Sequence, residues 1–140
     1  RLALAYGPGV GMTDERVLNQ FVKSALTSGR IEMKDTGIAR RTYCYVTDAI
    51  RLMFAALLVG DESVYNIGGI SRTSIQELAV LIGEMTGAEV VVPEVGVGIV
   101  GAPQDVKLNI EKVLRLVDDH SFIDLRDGLL RTISWYQQLI

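Results

Sequence analysis

The stretch from Gly37 to Asp48, G-I-A-R-R-T-Y-C-Y-V-T-D, constrains this chain more than any other. After the glycine turn and two adjacent arginines it alternates, with Tyr43 and Tyr45 on one face of a strand and Cys44 and Val46 on the other. Thr47 stands where a helix N-cap is expected, with Asp48 in the first turn and an apolar helix behind it. A strand must therefore run almost directly into a helix. A fixed guanidinium at a strand edge can grip a phosphate through two parallel hydrogen bonds, which an ammonium cannot do. Arg40 and Arg41 can fill that role, but on the residues alone a solvated pair beside an ordinary edge strand is the plainer reading.

The rest of the chain alternates short strands with glycine-ended helices. Residues 2–5 read as a strand, followed by the glycine-rich turn at 6–11. Thr13 is placed to cap a helix with Asp14 and Glu15 in its first turn, Val17, Leu18, Phe21, Val22, Ala25 and Leu26 on its apolar face, and Gly29 at its end. Ile31 to Met33 reads as a strand. The helix over 48–59 is expected to bury Ile50, Met53, Phe54, Leu57 and Leu58, and to stop at Gly60. Val64 to Ile67 reads as a strand running into Gly68-Gly69. Ser74 and Glu77 have capping-box spacing, and the helix behind them carries Ile75, Leu78, Ala79, Ile82 and Met85 to Gly87. Glu89 to Val92 reads as a strand cut by Pro93. Asn109 is placed to cap a short helix with Ile110, Val113, Leu114 and Val117. Asp124 opens a last helix with Leu125, Leu129, Ile133 and Tyr136 in line. The pattern predicts one small α/β domain over residues 1–140, with no internal repeat.

Composition excludes several functions. Net charge is −3, which supplies no attraction for nucleic acid or an anionic membrane. The single cysteine, Cys44, cannot close an internal disulfide and has no metal-ligand spacing around it, so it reads as a strand-buried thiol. The apolar runs are too short to span a bilayer. With no initiator Met and no signal peptide, the chain reads as a piece of a longer protein whose default compartment is the cytoplasm.

Two motifs test for catalysis. Gly96 to Gly101 spells G-x-G-x-x-G, yet a dinucleotide fingerprint needs a helix to begin within the motif, and Pro103 follows with no helical period before Asn109. A plain loop over 96–103 is the expectation. His120 follows Asp118-Asp119 in a predicted loop, with no serine or cysteine nucleophile at a recognisable spacing.

Four blocks in order carry a resemblance. The Gly37–Asp48 stretch resembles the G-x-x-x-R-x-F/Y-x-Y-V-x-D signature of the sugar-nucleotide epimerase/dehydratase/decarboxylase family, the extended short-chain dehydrogenases. R-L-A-L-A-Y-G-P-G at the start resembles that family's R-x-x-N-x-Y-G-P strand and loop. V-Y-N-I-G-G at 64–69 matches another block, and D-L-R-D-G-L-L-R-T-I-S-W-Y at 124–136 resembles the last helix. The resemblance implies the small C-terminal, nucleotide-sugar-binding lobe of such an enzyme, without its Rossmann lobe. It places Arg41, not Arg40, on the arginine that holds the diphosphate of a UDP- or dTDP-sugar. It places Asn66 near a phosphate or ribose oxygen and the Arg16-Val17 pair near the base, although Arg16 also reads as a helix-surface residue. NAD belongs to the parent family, and none is expected on this chain alone.

The chain departs from the family at three points. Leu4 stands where an asparagine is usual. Val106 stands near a second phosphate arginine, with Lys107 beside it as a point charge and not a clamp. The family's catalytic Tyr-x-x-x-Lys is absent, since none of Tyr6, Tyr43, Tyr45, Tyr65 and Tyr136 has a lysine four residues on. Two readings follow: a substrate-binding portion of an NAD-dependent enzyme that is inactive by itself, or a stand-alone, non-catalytic binding or assembly module. A homo-oligomer is expected in either case.

Overall fold

The computed structural model describes residues 1–96 and 103–140. β3 (Arg40–Tyr45) is its organising element. It runs parallel to β1 (Leu4–Tyr6), pairing Leu4 with Tyr43 and Tyr6 with Tyr45. On its other side it runs antiparallel to β4 (Ser71–Ser74), pairing Arg41 with Thr73 and Thr42 with Arg72. β3 is thus the central strand of a three-stranded sheet ordered β1-β3-β4, not the edge strand the sequence suggested. A second, two-stranded parallel sheet pairs β2 (Arg30–Glu32) with β5 (Glu89–Val91).

The alternation along β3 divides the interior in two. Tyr43 and Tyr45 enter a core with Tyr6, filled from α1 (Val17–Ser28), α3 (Ile75–Thr86) and α5 (Leu125–Gln137) by Val22, Leu78, Ile82 and Leu129. Tyr6 meets Tyr43 and Tyr45 edge-on, with ring centroids 6.2 and 5.6 Å away, the geometry favoured by the ring quadrupole. Cys44 points the opposite way, into a core with Ala49 and Leu52 of α2 (Val46–Val59), Tyr65, Ile67 and Val113 of α4 (Glu111–Leu114). Burial pushes its thiol up to about 12, which makes it inert as a nucleophile.

Several local expectations are corrected. Thr47 lies inside α2, and the N-cap is Tyr45, which makes no side-chain cap bond. α2 buries Asp48, Ala49 and Leu52, whereas Ile50, Met53, Phe54, Leu57 and Leu58 are exposed. The helix presents its narrower, small-residue face to the second core, because Asp48 and Arg51 are drawn toward the 119–123 segment by hydrogen bonds. Thr13 does not cap α1. The N-cap is Arg16, whose amide donates to Asp14 Oδ1 at 2.9 Å, and Asp14 and Glu15 precede the helix. Val17 at its start is exposed and Leu26 only half-buried. Asn109 accepts from the Glu111 amide, but the N-cap of α4 is Ile110, and α4 is short. Residues 64–67 form only a parallel bridge, Ile67 to Leu2, and the strand before α3 is β4, whose polar S-R-T-S sequence carries no strand signal. The capping box at Ser74 and Glu77 forms as expected. The loop expected at 96–103 lies outside the described residues except at its ends, Gly96 and Pro103. Among the described residues, no helix is long and apolar enough to cross a membrane.

Candidate functional site

The parallel pairing of β1 with β3 leaves a cavity where α1 begins. Its volume is about 140 Å³, and Leu4, Tyr6, Arg16, Val17, Tyr43 and Ile75 line it. β1 contributes Leu4 and Tyr6 because they share one strand face. α1 contributes Arg16 and Val17 because Gly7 and Gly9, both at positive φ, turn the chain back over the sheet. The walls are mostly apolar, and the position where the family's asparagine would offer an amide is the exposed Leu4.

Arg16 is held in place. Its guanidinium donates from Nε and Nη2 to the Asp14 carboxylate, at 2.9 and 2.7 Å, and from Nη1 to the Ala5 carbonyl at 3.0 Å. The hydrogen bonds from Arg16 and from Asn19 hold the Asp14 carboxyl well below the usual carboxylate range. Beneath this cluster, Asn19 Oδ1 and the Tyr136 hydroxyl are buried and have no partner among the described residues. Asn19 also lines the cavity.

Arg41 stands two residues from Tyr43 and so on the same face of β3. Tyr43 lines the cavity, and burial pushes its hydroxyl up to about 12, with the Arg41 charge acting in the opposite direction. Arg41 Nη1 donates to its neighbour's carbonyl, Arg40 O, at 2.8 Å and to Pro103 O at 3.0 Å. Nε and Nη2 have no hydrogen-bond partner among the described residues. Arg40 turns the other way and pairs with Glu77 at 3.2 Å.

Asn66 and Lys107 lie apart from the cavity. Asn66 Nδ2 donates to Asn109 O at 2.9 Å. Lys107 is exposed. Both belong with the 103–109 strip, which bridges to β3 at Arg40–Asp105 and accepts from Thr42 Oγ1 at Val106 O. Arg41 touches one end of this strip, at Pro103, and Asn66 the other, at Asn109. The structure thus brings Arg16 and Val17 together at one cavity with Tyr43, leaves Arg41 outside its lining two residues along β3, and sets Asn66 and Lys107 along the neighbouring strip. Tyr43, Asn19 and Ile75 line the cavity too. Strand alternation from Arg41 is the one signal that pointed to Tyr43. A broader depression beside α4, lined by Glu111, Arg115, Asp118 and His120, contains none of the candidates. Among the described residues there is no cluster of side chains able to hold a metal ion.

The model of the NAD dependent epimerase/dehydratase family matches residues 1–68. The chain is 26% identical over 129 residues to UDP-glucuronic acid decarboxylase 3 of Arabidopsis thaliana, covering 92% of this chain and 37% of that protein. It is 28% identical over 134 residues to dTDP-glucose 4,6-dehydratase of Streptomyces griseus, covering 95% and 40%. Among solved structures it resembles a UDP-glucose 4-epimerase of Thermotoga maritima bound to UDP-glucose, with a TM-score of 0.82, 27% identity, and 99% and 45% of the two chains covered. It shares its fold with a UDP-glucuronic acid 4-epimerase of Bacillus cereus solved with UDP-glucuronic acid and NAD, at a TM-score of 0.81 and 24% identity. The chain spans between 32% and 38% of the length of the first curated relatives it matches.

Proposed function

We propose, this chain being a member of the NAD-dependent epimerase/dehydratase family, that it is the part of such an enzyme that holds a nucleotide sugar. Arg41 grips the diphosphate and the Arg16-Val17 start of α1 flanks the base. Asn66 and Lys107 add polar contacts along the 103–109 strip. The observation that carries this reading is the half-free guanidinium of Arg41. It is anchored by two carbonyls through Nη1, with its Nε–Nη2 edge unpaired among the described residues, on the strand face that lines the cavity. A planar edge with two parallel N–H groups matches two phosphate oxygens. Arg16 acts through its stem and position, because Asp14 already takes its fork.

NAD is supplied with other residues. No tyrosine of this sequence has, four residues on, the partner lysine that the family uses. When bound in a complete enzyme, NAD would take a hydride from the sugar. This chain's share is to bind and orient the diphosphate. Its expected compartment is the cytoplasm.

Titration calorimetry of the 140-residue protein with UDP-glucose and dTDP-glucose tests the reading. Saturable binding that falls about tenfold or more in Arg41→Lys and is unchanged in Arg40→Lys supports it. Equal behaviour of the two variants overturns it. The second reading, a stand-alone, non-catalytic binding or assembly module, is favoured by the missing Tyr-x-x-x-Lys, and equal behaviour of the two variants supports it.

A further inference from the structure

The 103–109 strip carries the carbonyls that anchor two candidate side chains. Pro103 O accepts from Arg41 Nη1 at 3.0 Å, and Asn109 O accepts from Asn66 Nδ2 at 2.9 Å. The strip is seated on β3 through one residue. Arg40 N donates to Gln104 O at 2.7 Å, and Val106 N donates to Arg40 O at 3.3 Å. Thr42 Oγ1 adds a bond to Val106 O at 3.3 Å. Residues 103–107 are exposed, so packing contributes little to holding that end in register.

An ion pair completes the attachment, and it comes from the strand on the other edge of β3. Arg72 of β4 donates from Nε to Asp105 Oδ1 at 3.1 Å and from Nη2 to Asp105 Oδ2, a two-pronged grip of guanidinium on carboxylate. Arg72 lies directly across from Thr42, so the two share one face of the sheet, and Arg41, one residue along β3, takes the opposite face. Arg72 therefore approaches the strip from the face that Arg41 does not use. Its effect on Arg41 runs through the strip and its Pro103 carbonyl.

On the reading of Arg41 as the diphosphate grip, we propose that Arg72 and Asp105 are positioning residues for it. Their ion pair fixes the strip so that the Pro103 carbonyl meets Arg41 Nη1 and holds the Nε–Nη2 edge of the guanidinium in one orientation. Neither residue touches the nucleotide sugar. An exposed ion pair adds little to global stability, so this one governs the placing of one carbonyl more than the fold.

A double-mutant cycle in the 140-residue protein, read by titration calorimetry with UDP-glucose, tests the proposal. Asp105→Asn and Arg72→Gln are each expected to weaken binding about fivefold with Tm unchanged. In the Arg41→Lys background, which has no planar fork to orient, Asp105→Asn is expected to change affinity less than about twofold. Nuclear magnetic resonance of the Arg41 Nε–H group in the ligand-free protein gives a second readout, and its order parameter is expected to fall in Asp105→Asn. An equal loss from Asp105→Asn in both backgrounds overturns the proposal, because the carboxylate would then act on the ligand itself or on the whole fold. An unchanged Arg41 order parameter overturns it too. Failure of the underlying reading is distinct: the unsubstituted protein would bind no nucleotide sugar, or Arg41→Lys and Arg40→Lys would behave alike.

Discussion

Arg41 reaches the carbonyl of Pro103, 62 residues further along the chain, at 3.0 Å. This contact fixes the guanidinium plane before any ligand arrives, so little side-chain entropy remains to be lost on binding. Arg41→Lys keeps the charge and loses the fork. The expected cost in nucleotide-sugar binding is about 1.5–3 kcal/mol, the range for a hydrogen bond to a charged group. In a complete enzyme the Michaelis constant is expected to rise more than turnover falls, because a diphosphate gripped as proposed would be held alike in ground and transition states. Steady-state kinetics on that enzyme reads the split.

The capping box gives a stability prediction. Ser74 Oγ accepts from the Glu77 amide at 3.0 Å, and Glu77 Oε2 accepts from the Ser74 amide at 2.7 Å. Ser74→Ala removes the first bond at a buried N-cap, for a loss of about 1 kcal/mol. Thermal denaturation is expected to show this as a lower Tm with nucleotide-sugar affinity unchanged.

The same box sets an acid limit. The Ser74 backbone hydrogen bond, followed by that of the Thr73 hydroxyl, lowers the Glu77 carboxyl from its ordinary 4.5. Hydrogen bonds from Arg16 and Asn19 lower Asp14 from 3.8. A carboxyl whose folded-state pKa is depressed stabilises the fold above its unfolded value, and that contribution disappears as pH falls through the folded value. Denaturant midpoints measured from pH 7 downward are expected to hold until about the ordinary carboxylate range and then fall. Glu77→Gln should flatten the upper part of that fall.

Glycine placement gives the sharpest local contrast. A Cβ on Gly69 would lie 2.2 Å from Tyr43 O and 2.9 Å from Cys44 Cα, both atoms of β3 that cannot move aside. A Cβ on Gly11 would meet nothing closer than Thr13 Oγ1 at 3.9 Å. Gly69→Ala is expected to destabilise by about 1–3 kcal/mol or more, as overpacking does. Gly11→Ala should be near neutral. Urea unfolding of the two variants measures the difference.

Much of this was legible in the residues, for identifiable reasons. Hydrogen-bonding caps are local, so Ser74 with Glu77 and Asp124 before α5 declared themselves by spacing. The alternation of Tyr43, Cys44 and Tyr45 was legible too, though not that both faces of β3 are buried, which depends on helices far along the chain. The face of α2 was misjudged because periodicity shows that a helix has an apolar side, not that this chain covers it. Leu52 alone of its large aliphatic residues reaches full burial, since the Asp48 and Arg51 bonds fix the helix rotation. For the site, the family resemblance singled out Arg41, and strand alternation implied only that Arg40 would face the other way. Nothing local announced that Pro103 would meet Arg41, or that Asp14 would occupy the fork of Arg16.

Asp48 carries the last prediction. It closes the Y-V-x-D motif and is buried, and its Oδ2 accepts from the Ile123 amide, 75 residues away. Arg51 Nη2 stands 3.9 Å from its Oδ1, and the carboxylate also sits in the first turn of α2, where the helix dipole favours a negative charge. The residue therefore ties the helix to the segment leading into α5. Asp48→Ala would leave the partly buried Ile123 amide without its acceptor, while Arg51 keeps the Asp119 and Ser121 carbonyls, at a cost of about 1–3 kcal/mol. Asp48→Asn keeps an acceptor for Ile123 and loses only the charge, so about 1 kcal/mol or less is expected. Hydrogen exchange at the Ile123 amide separates the two variants. Protection is expected to vanish in Asp48→Ala and to persist in Asp48→Asn. Equal protection in both would show that the Ile123 amide is guarded by burial alone and that Asp48 does not hold the segment.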